Sequence, residues 1–168
     1  RRQEVLRAID LATRAGLTGG RLDDDTASEF ADSILEVATA FVSAGRPVEA
    51  ETIYDEIMRV ASARGDDVLR RRVVVRRAHA RYTRGALTPA DEVELRDSFA
   101  RLSPCLEQGR GAYLAGLVDK NRGRLDEAES ELRRADDLFR SIGSTSWRAS
   151  ALDQLASIAN RRGESAKA

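Results

Sequence analysis

A chain of 168 residues whose 28 basic and 28 acidic side chains cancel carries no overall field to hold it against nucleic acid or an anionic membrane. Its apolar fraction of 42% can form a packed core, while 33% charge, 5% aromatic content and only three prolines favour helices with wetted, charged faces. No run of about 18 apolar residues occurs, which excludes a membrane-spanning helix, and a single cysteine, Cys105, excludes an internal disulfide and points to a reducing cytoplasm.

Of the 28 basic residues, 26 are Arg and two are Lys. A GC-rich genome explains that bias more simply than selection of Arg at every site for bidentate anion contacts. Arg1 to Ile9 is an amphipathic helix pattern and not a signal peptide. The sequence opens inside a helix without Met and stops where another helix is due, so it reads as a piece of a longer protein.

Residues 3 to 15 carry Val5, Leu6, Ile9, Leu11 and Ala12 at helical spacing. Gly16, Gly19 and Gly20 break the pattern, and Asp23 to Thr26 form a polar loop. A helix is expected from about Ala27 to Ala44, with Phe30, Ile34, Val37, Ala38 and Phe41 on its core face. Gly45 stops it in the left-handed conformation that glycine adopts most cheaply, and Pro47 opens the next helix. That helix carries Ala50, Ile53, Tyr54, Ile57, Met58 and Ala61 and closes at Gly65 to Asp67. Val68 to Arg84 follows, with Val74, Val75, Ala78 and Tyr82 on one side and seven Arg between Arg70 and Arg84. Thr88-Pro89 starts a helix bearing Val93, Leu95, Phe99 and Leu102, and Ser103-Pro104 repeats that start signal for a helix reaching Arg122. A hairpin across Gly123 brings Gly116 and Ala128 into close approach, with Leu125, Leu132 and Leu138 filling in around them. Ser144 or Thr145 caps the last helix, whose apolar side is Trp147, Ala151, Leu152, Leu155, Ala156 and Ala159, and Gly163 ends it.

The turn glycines Gly45, Gly85, Gly123 and Gly163 lie 40, 38 and 40 residues apart. Each is followed five residues later by Ala (Ala50, Ala90, Ala128, Ala168) and preceded seven residues earlier by a small residue (Ala38, Ala78, Gly116, Ala156). With the Gly-x-x-x-Glu-Ala turns at Gly45 and Gly123, this pattern resembles the tetratricopeptide (TPR) repeat family in a long-period form. The resemblance covers nearly the whole chain and weakens after Gly85, where Glu94 and Asp97 take expected apolar positions. It implies an all-α fold, a right-handed superhelical stack of antiparallel hairpins (a TPR-like α-solenoid). The repeat units fall at 1–15 (second helix only), 26–65, 68–103, 104–141 and 145–168 (first helix and turn). Leu138 to Gly143 followed by Trp147 is similar to repeats of large bacterial signalling regulators, including LuxR-type activators and signal-transduction NTPases, where the array is a sensor or docking surface.

In that family the first helix of each hairpin lines a concave groove. The register implies groove positions Arg72, Val75, Arg76, His79 and Tyr82, then Arg110, Tyr113, Leu114, Leu117, Lys120 and Asn121. Flanking them are Asp32, Leu35, Glu36 and Thr39 in the first repeat and Asp153, Gln154, Ser157 and Asn160 in the last. A basic centre with two tyrosines suits an acidic, partly apolar peptide, from a partner or from another part of the same protein. Arg70, Arg77, Arg81 and Arg84, on another side of their helix, read as a solvated convex face.

Nothing in the sequence carries chemistry. His79 is the only histidine, no zinc-ligand spacing exists, and a Cys105–His79 dyad has only the helix start near Cys105 to recommend it. No phosphate loop occurs, and Gly109 and Gly111 are too sparse for a dinucleotide fingerprint. The sequence therefore reads as a non-enzymatic, cofactor-free, metal-free module for protein or peptide binding. Two other readings stand beside it. One is a polyanion- or nucleic-acid-binding repeat using the basic helix, and the other is self-association through the apolar side around Leu155 and Ala159.

Overall fold

The computed structural model describes residues 24–165, with side chains described over 31–163. The helix expected over residues 3–15 and the side chain of Phe30 lie outside that range. The described residues are all-helical: α1 (Asp24–Ser43), α2 (Pro47–Arg64), α3 (Asp67–Thr83), α4 (Pro89–Ala100), α5 (Leu106–Asn121), α6 (Leu125–Ser141) and α7 (Thr145–Ser165). The chain divides into two compact units, Arg1–Thr88 and Pro89–Ala168. The boundary falls inside the repeat drawn over 68–103, so its two helices belong to different units.

Tight turns set the helix order. Gly45, Gly65, Gly85, Gly123 and Gly143 all have φ between +69° and +77°, where any side chain would be strained. Pro47 opens α2 at its first turn, and Asp66 caps α3 by accepting a 2.9 Å hydrogen bond from the Leu69 amide. Two expectations fail here. Gly163 does not end α7, which continues to Ser165, and unlike the turn glycines it does not have a positive φ. Pro104 does not open α5, which begins at Leu106 with Cys105 extended at the cap position.

In the first unit α2 packs against both α1 and α3, and α1 also touches α3. Its core joins Ile34, Leu35, Ala38, Ile53, Tyr54, Ile57, Val60 and Val73, with Phe41 and Met58 partly buried against it. Val37, expected in that core, is 41% exposed.

In the second unit α5 is central and touches α4, α6 and α7. Its glycines make this possible. A Cβ on Gly109 would lie 2.5 Å from the Phe139 ring, one on Gly111 2.4 Å from Phe99 Cβ, and one on Gly116 2.7 Å from Leu132 Cγ and 3.2 Å from the Ala128 carbonyl. The close approach read at Gly116 and Ala128 is present, and Gly109 and Gly111 do the same work. Ala128 and Leu132 of α6 meet Ile158 of α7, a residue the sequence reading passed over, with Leu125, Leu155 and Tyr113 packed around them.

The short helix α4 inverts its expected polarity. Val93 is 71% exposed, while Asp91, Glu92 and Ser98 are buried beside Leu95 and Phe99. Ion pairs explain why. Glu92 is held by Arg122, with one bond at 2.7 Å. Asp119, only 2% exposed, accepts two bonds from Arg96 at 2.9 and 2.8 Å and another from Arg124 at 3.1 Å, tying α4 and the start of α6 to the end of α5.

Candidate partner-binding surface

In the first unit, residues one repeat apart face each other. Arg72 of α3 lies 2.6 Å from Asp32 of α1, and Arg76 donates to Glu36 at 2.7 Å. Arg76 is 4% exposed and its second arm donates to Thr39 Oγ1 at 2.8 Å. Thr39 in turn donates to the Leu35 carbonyl at 2.9 Å, which leaves Tyr54, 3.4 Å away, to donate to Thr39. Val75 is 1% exposed and offers no surface, whereas His79 and Tyr82 are half-buried.

The other arginines of α3 turn to α2 or to their own first turn. Arg77 pairs with Asp55, Arg81 and Arg84 with Glu51, and Arg70 and Arg71 with Asp67. All seven therefore have a carboxylate partner. Burial alone would raise the Glu51 carboxyl, but the bonds from Arg84 and Arg81 outweigh it and hold the group below its ordinary range. The basic helix is thus an ion-paired seam between neighbours, and the three arginines that pair with α2, Arg77, Arg81 and Arg84, lie on the side read from sequence as a solvated convex face.

In the second unit the corresponding face is aromatic. Trp147 of α7 meets Tyr113 edge-on at 5.7 Å between centroids and stacks on Phe139 at 5.7 Å. The Arg110 guanidinium lies 5.0 Å from the Trp147 centroid and 3.4 Å from Glu107. Lys120 donates to Gln154 of α7, so α5 and α7 meet here. Burial, then the Arg161 charge, lower the Lys120 pKa, and Asp153 partly offsets them. Leu117 is half-buried and Asn121 exposed. Trp147 was read only as core; its place opposite Tyr113 was open to inference from the repeat register.

Among the described residues no group of three His, Cys, Asp or Glu side chains is placed to hold a metal, and no helix is long and apolar enough to cross a membrane. Cys105 belongs to the second unit and His79 to the first. No protein-family model matches the chain, and no curated protein matches it.

Proposed function

We propose that the chain is a non-catalytic scaffold that binds a protein or peptide, built as a right-handed TPR-like α-solenoid. The observation that carries this reading is the pairing of repeat-equivalent residues. Asp32 with Arg72 and Glu36 with Arg76 stand one 40-residue period apart, which supports first helices lying side by side as a layer. Such a layer presents a broad surface of repeated positions instead of converging groups on one reacting atom.

The second unit by itself offers Arg110, Tyr113, Trp147 and Lys120, an aromatic floor with two cations. A ligand carboxylate would relieve the cost of burying the Lys120 charge, so an acidic peptide with apolar side chains fits best there. The arginines of the first unit already engage carboxylates of their own unit. The test is selection of binders from a random peptide library, followed by calorimetry. Acidic, aromatic-containing binders that lose about tenfold or more with Tyr113→Ala or Lys120→Ala are expected. Binders indifferent to both changes would remove this face as the site.

The resemblance of Leu138 to Gly143 and Trp147 to repeats of bacterial signalling regulators supports the further proposal that the scaffold is the regulatory repeat region of such a protein, in the cytoplasm. A P-loop NTPase or helix-turn-helix domain adjoining the repeats in the native polypeptide is the expected finding. A secreted or membrane-anchored native polypeptide would overturn it.

A further inference from the structure

The first helix of a repeat buries one row of positions against the helix before it. In α3 that row includes Val73 and Ala80, both 0% exposed in one cluster with Tyr54, Ile57 and Val60 of α2. In α7 it includes Leu155 and Ile158, packed with Ala128 and Leu132 of α6, and Ile158 is 1% exposed. The same row of α1, 40 residues before that of α3, holds Ser33, Val37 and Ala40, and there all three are exposed, Val37 to 41%. Ala44 extends it, also exposed, so the row carries no charge in a chain that is 33% charged. The outer face of α2, with Thr52, Asp55 and Arg59 exposed, is polar as a face meant for water should be.

The residues before α1 contain a matching second helix. Tyr54, Ile57, Val60 and Ala61 stand 11, 8, 5 and 4 residues before Gly65, where α2 closes. Leu132, Ala135, Leu138 and Phe139 stand at those same distances before Gly143 at the end of α6. All but Leu138, which is half-buried, are buried. Val5, Ala8, Leu11 and Ala12 stand at those distances before Gly16. At 3.6 residues per turn Val5, Ala8 and Ala12 share one side of a helix, and Gln3, Arg7, Asp10 and Arg14 take the opposite one.

The lengths agree as well. A helix over residues 3–15 would be about 20 Å long, and Ser33 to Ala44 cover about 17 Å of α1, at 1.5 Å per residue. Residues 16–23 reach about 26 Å when extended, enough to turn the chain back along α1. Tethered by so short a connection, the chain's own segment competes at an effective concentration of about a millimolar, which favours it over the same segment of a second copy.

We propose that residues 3–15 dock as a helix antiparallel to α1, with Val5, Ala8 and Ala12 covering the row from Ser33 through Val37 and Ala40 to Ala44. The proposal shares the repeat register with the scaffold reading but involves no ligand, so it stands or falls apart from the peptide surface of the second unit. The test places a nitroxide on Gln3→Cys, on the outer side of the segment, in the ¹⁵N-labelled 168-residue chain carrying Cys105→Ser. Expected is broadening of the Ala40 and Ala44 amides, with Thr52 and Arg59 on the outer face of α2 little changed. Moving the nitroxide to Arg14→Cys should bring the strongest broadening to Ser33. Adding Val5→Asp to the Gln3→Cys protein should abolish the effect on α1, and adding Arg7→Asp should leave it. Unshifted amides in α2 and α3 would show that the Val5→Asp chain keeps its fold, and the two nitroxide positions decide the matter without that variant. A Gln3→Cys nitroxide that leaves α1 sharp, or that broadens Ser33 most, would overturn the docking. Broadening of ¹⁵N-labelled chains that carry no nitroxide, mixed with nitroxide-bearing chains at natural isotope abundance, would overturn it too and give the row to a second copy.

Discussion

Three glycines make the same substitution come out with three different results. At Gly111 a methyl group would meet Phe99 Cβ at 2.4 Å, an atom fixed to the backbone of α4, so Gly111→Ala must push α4 off α5. A loss of about 2 kcal/mol is expected, seen as a lower urea midpoint. At Gly163 nothing lies within 4 Å and φ is not positive, so Gly163→Ala should add up to about 1 kcal/mol through helix propensity. Gly45→Ala also meets open space, but its φ of +73° makes the change a loss of about 1 kcal/mol. A Gly111→Ala protein as stable as the parent would mean that α4 and α5 are not in close contact.

Arg76 and Arg70 test what a paired arginine contributes. Arg76 is 4% exposed with partners on α1, whereas Arg70 pairs with Asp67 one turn away on the surface. Arg76→Ala should cost about 1–2 kcal/mol, less than a fully buried pair because Glu36 is 59% exposed and water can take it over. Arg70→Ala should stay within about 0.5 kcal/mol. Arg76→Met, which keeps the volume without the charge, should recover most of the loss. Equal denaturation midpoints for all three variants would show that the seam contributes no cohesion.

What could be read ahead of the structure followed from backbone sterics. Gly45, Gly85 and Gly123 were legible because left-handed turns nearly demand glycine. The 40-residue period misled at Gly163, since spacing carries no information about φ, and it passed over Gly143, which has φ +72°. The inward carboxylates were not legible. Glu92, Glu107, Asp119 and Asp136 are buried because Arg122, Arg110, Arg96, Arg124, Arg140 and Arg148 meet them, and hydropathy scores each partner alone.

Helix α7 shows that equivalent positions in the 40-residue pattern are not buried alike. Ala31, Ile34 and Ala38 of α1 and Gly109, Ala112 and Gly116 of α5 are buried, whereas their equivalents Ala149, Leu152 and Ala156 are exposed. Leu152, read from sequence as core, is 45% exposed, and Ala156 and Ala159 are exposed with it. Leu152→Gln should leave thermal stability within about 0.5 kcal/mol, while Ile158→Ala, at a site 1% exposed, should cost about 3 kcal/mol. Sedimentation at rising concentration adds a check on self-association. A dimer that Leu152→Gln dissolves would assign the exposed row to a protein–protein contact.

Acid titration reads the protein as a whole, because its two units hold carboxylates shifted in opposite directions. In the first, Glu51 sits below its ordinary value, so its contribution is complete at neutral pH and is lost as pH falls through the folded pKa, below about 4.5. In the second, burial raises Glu131, a shift that Arg134 and Arg96 oppose and Asp119 reinforces. Its contribution is complete below about 4.5 and is lost as pH rises through the folded pKa. Amide exchange between about pH 6 and pH 3 should therefore show α2 and α3 losing protection on acidification. Glu51→Gln should flatten that dependence, and Glu131→Gln should remove an opposing one around α6. Identical profiles in both variants and the parent would contradict the assigned shifts.

The face-to-face pairing of Asp32 with Arg72 and of Glu36 with Arg76 also bears on how such a gene can grow. Tandem arrays lengthen when replication slips by one period, and the new copy inherits every side chain of its template. Copying the segment between Gly45 and Gly85 would set Arg72 and Arg76 against their own duplicates, placing like charges where opposite ones now meet. On the proposed solenoid reading, slippage at this point would therefore be penalised until substitution restored an acid on one side, and neighbouring repeats would diverge in charge even while their turns and small residues stayed alike.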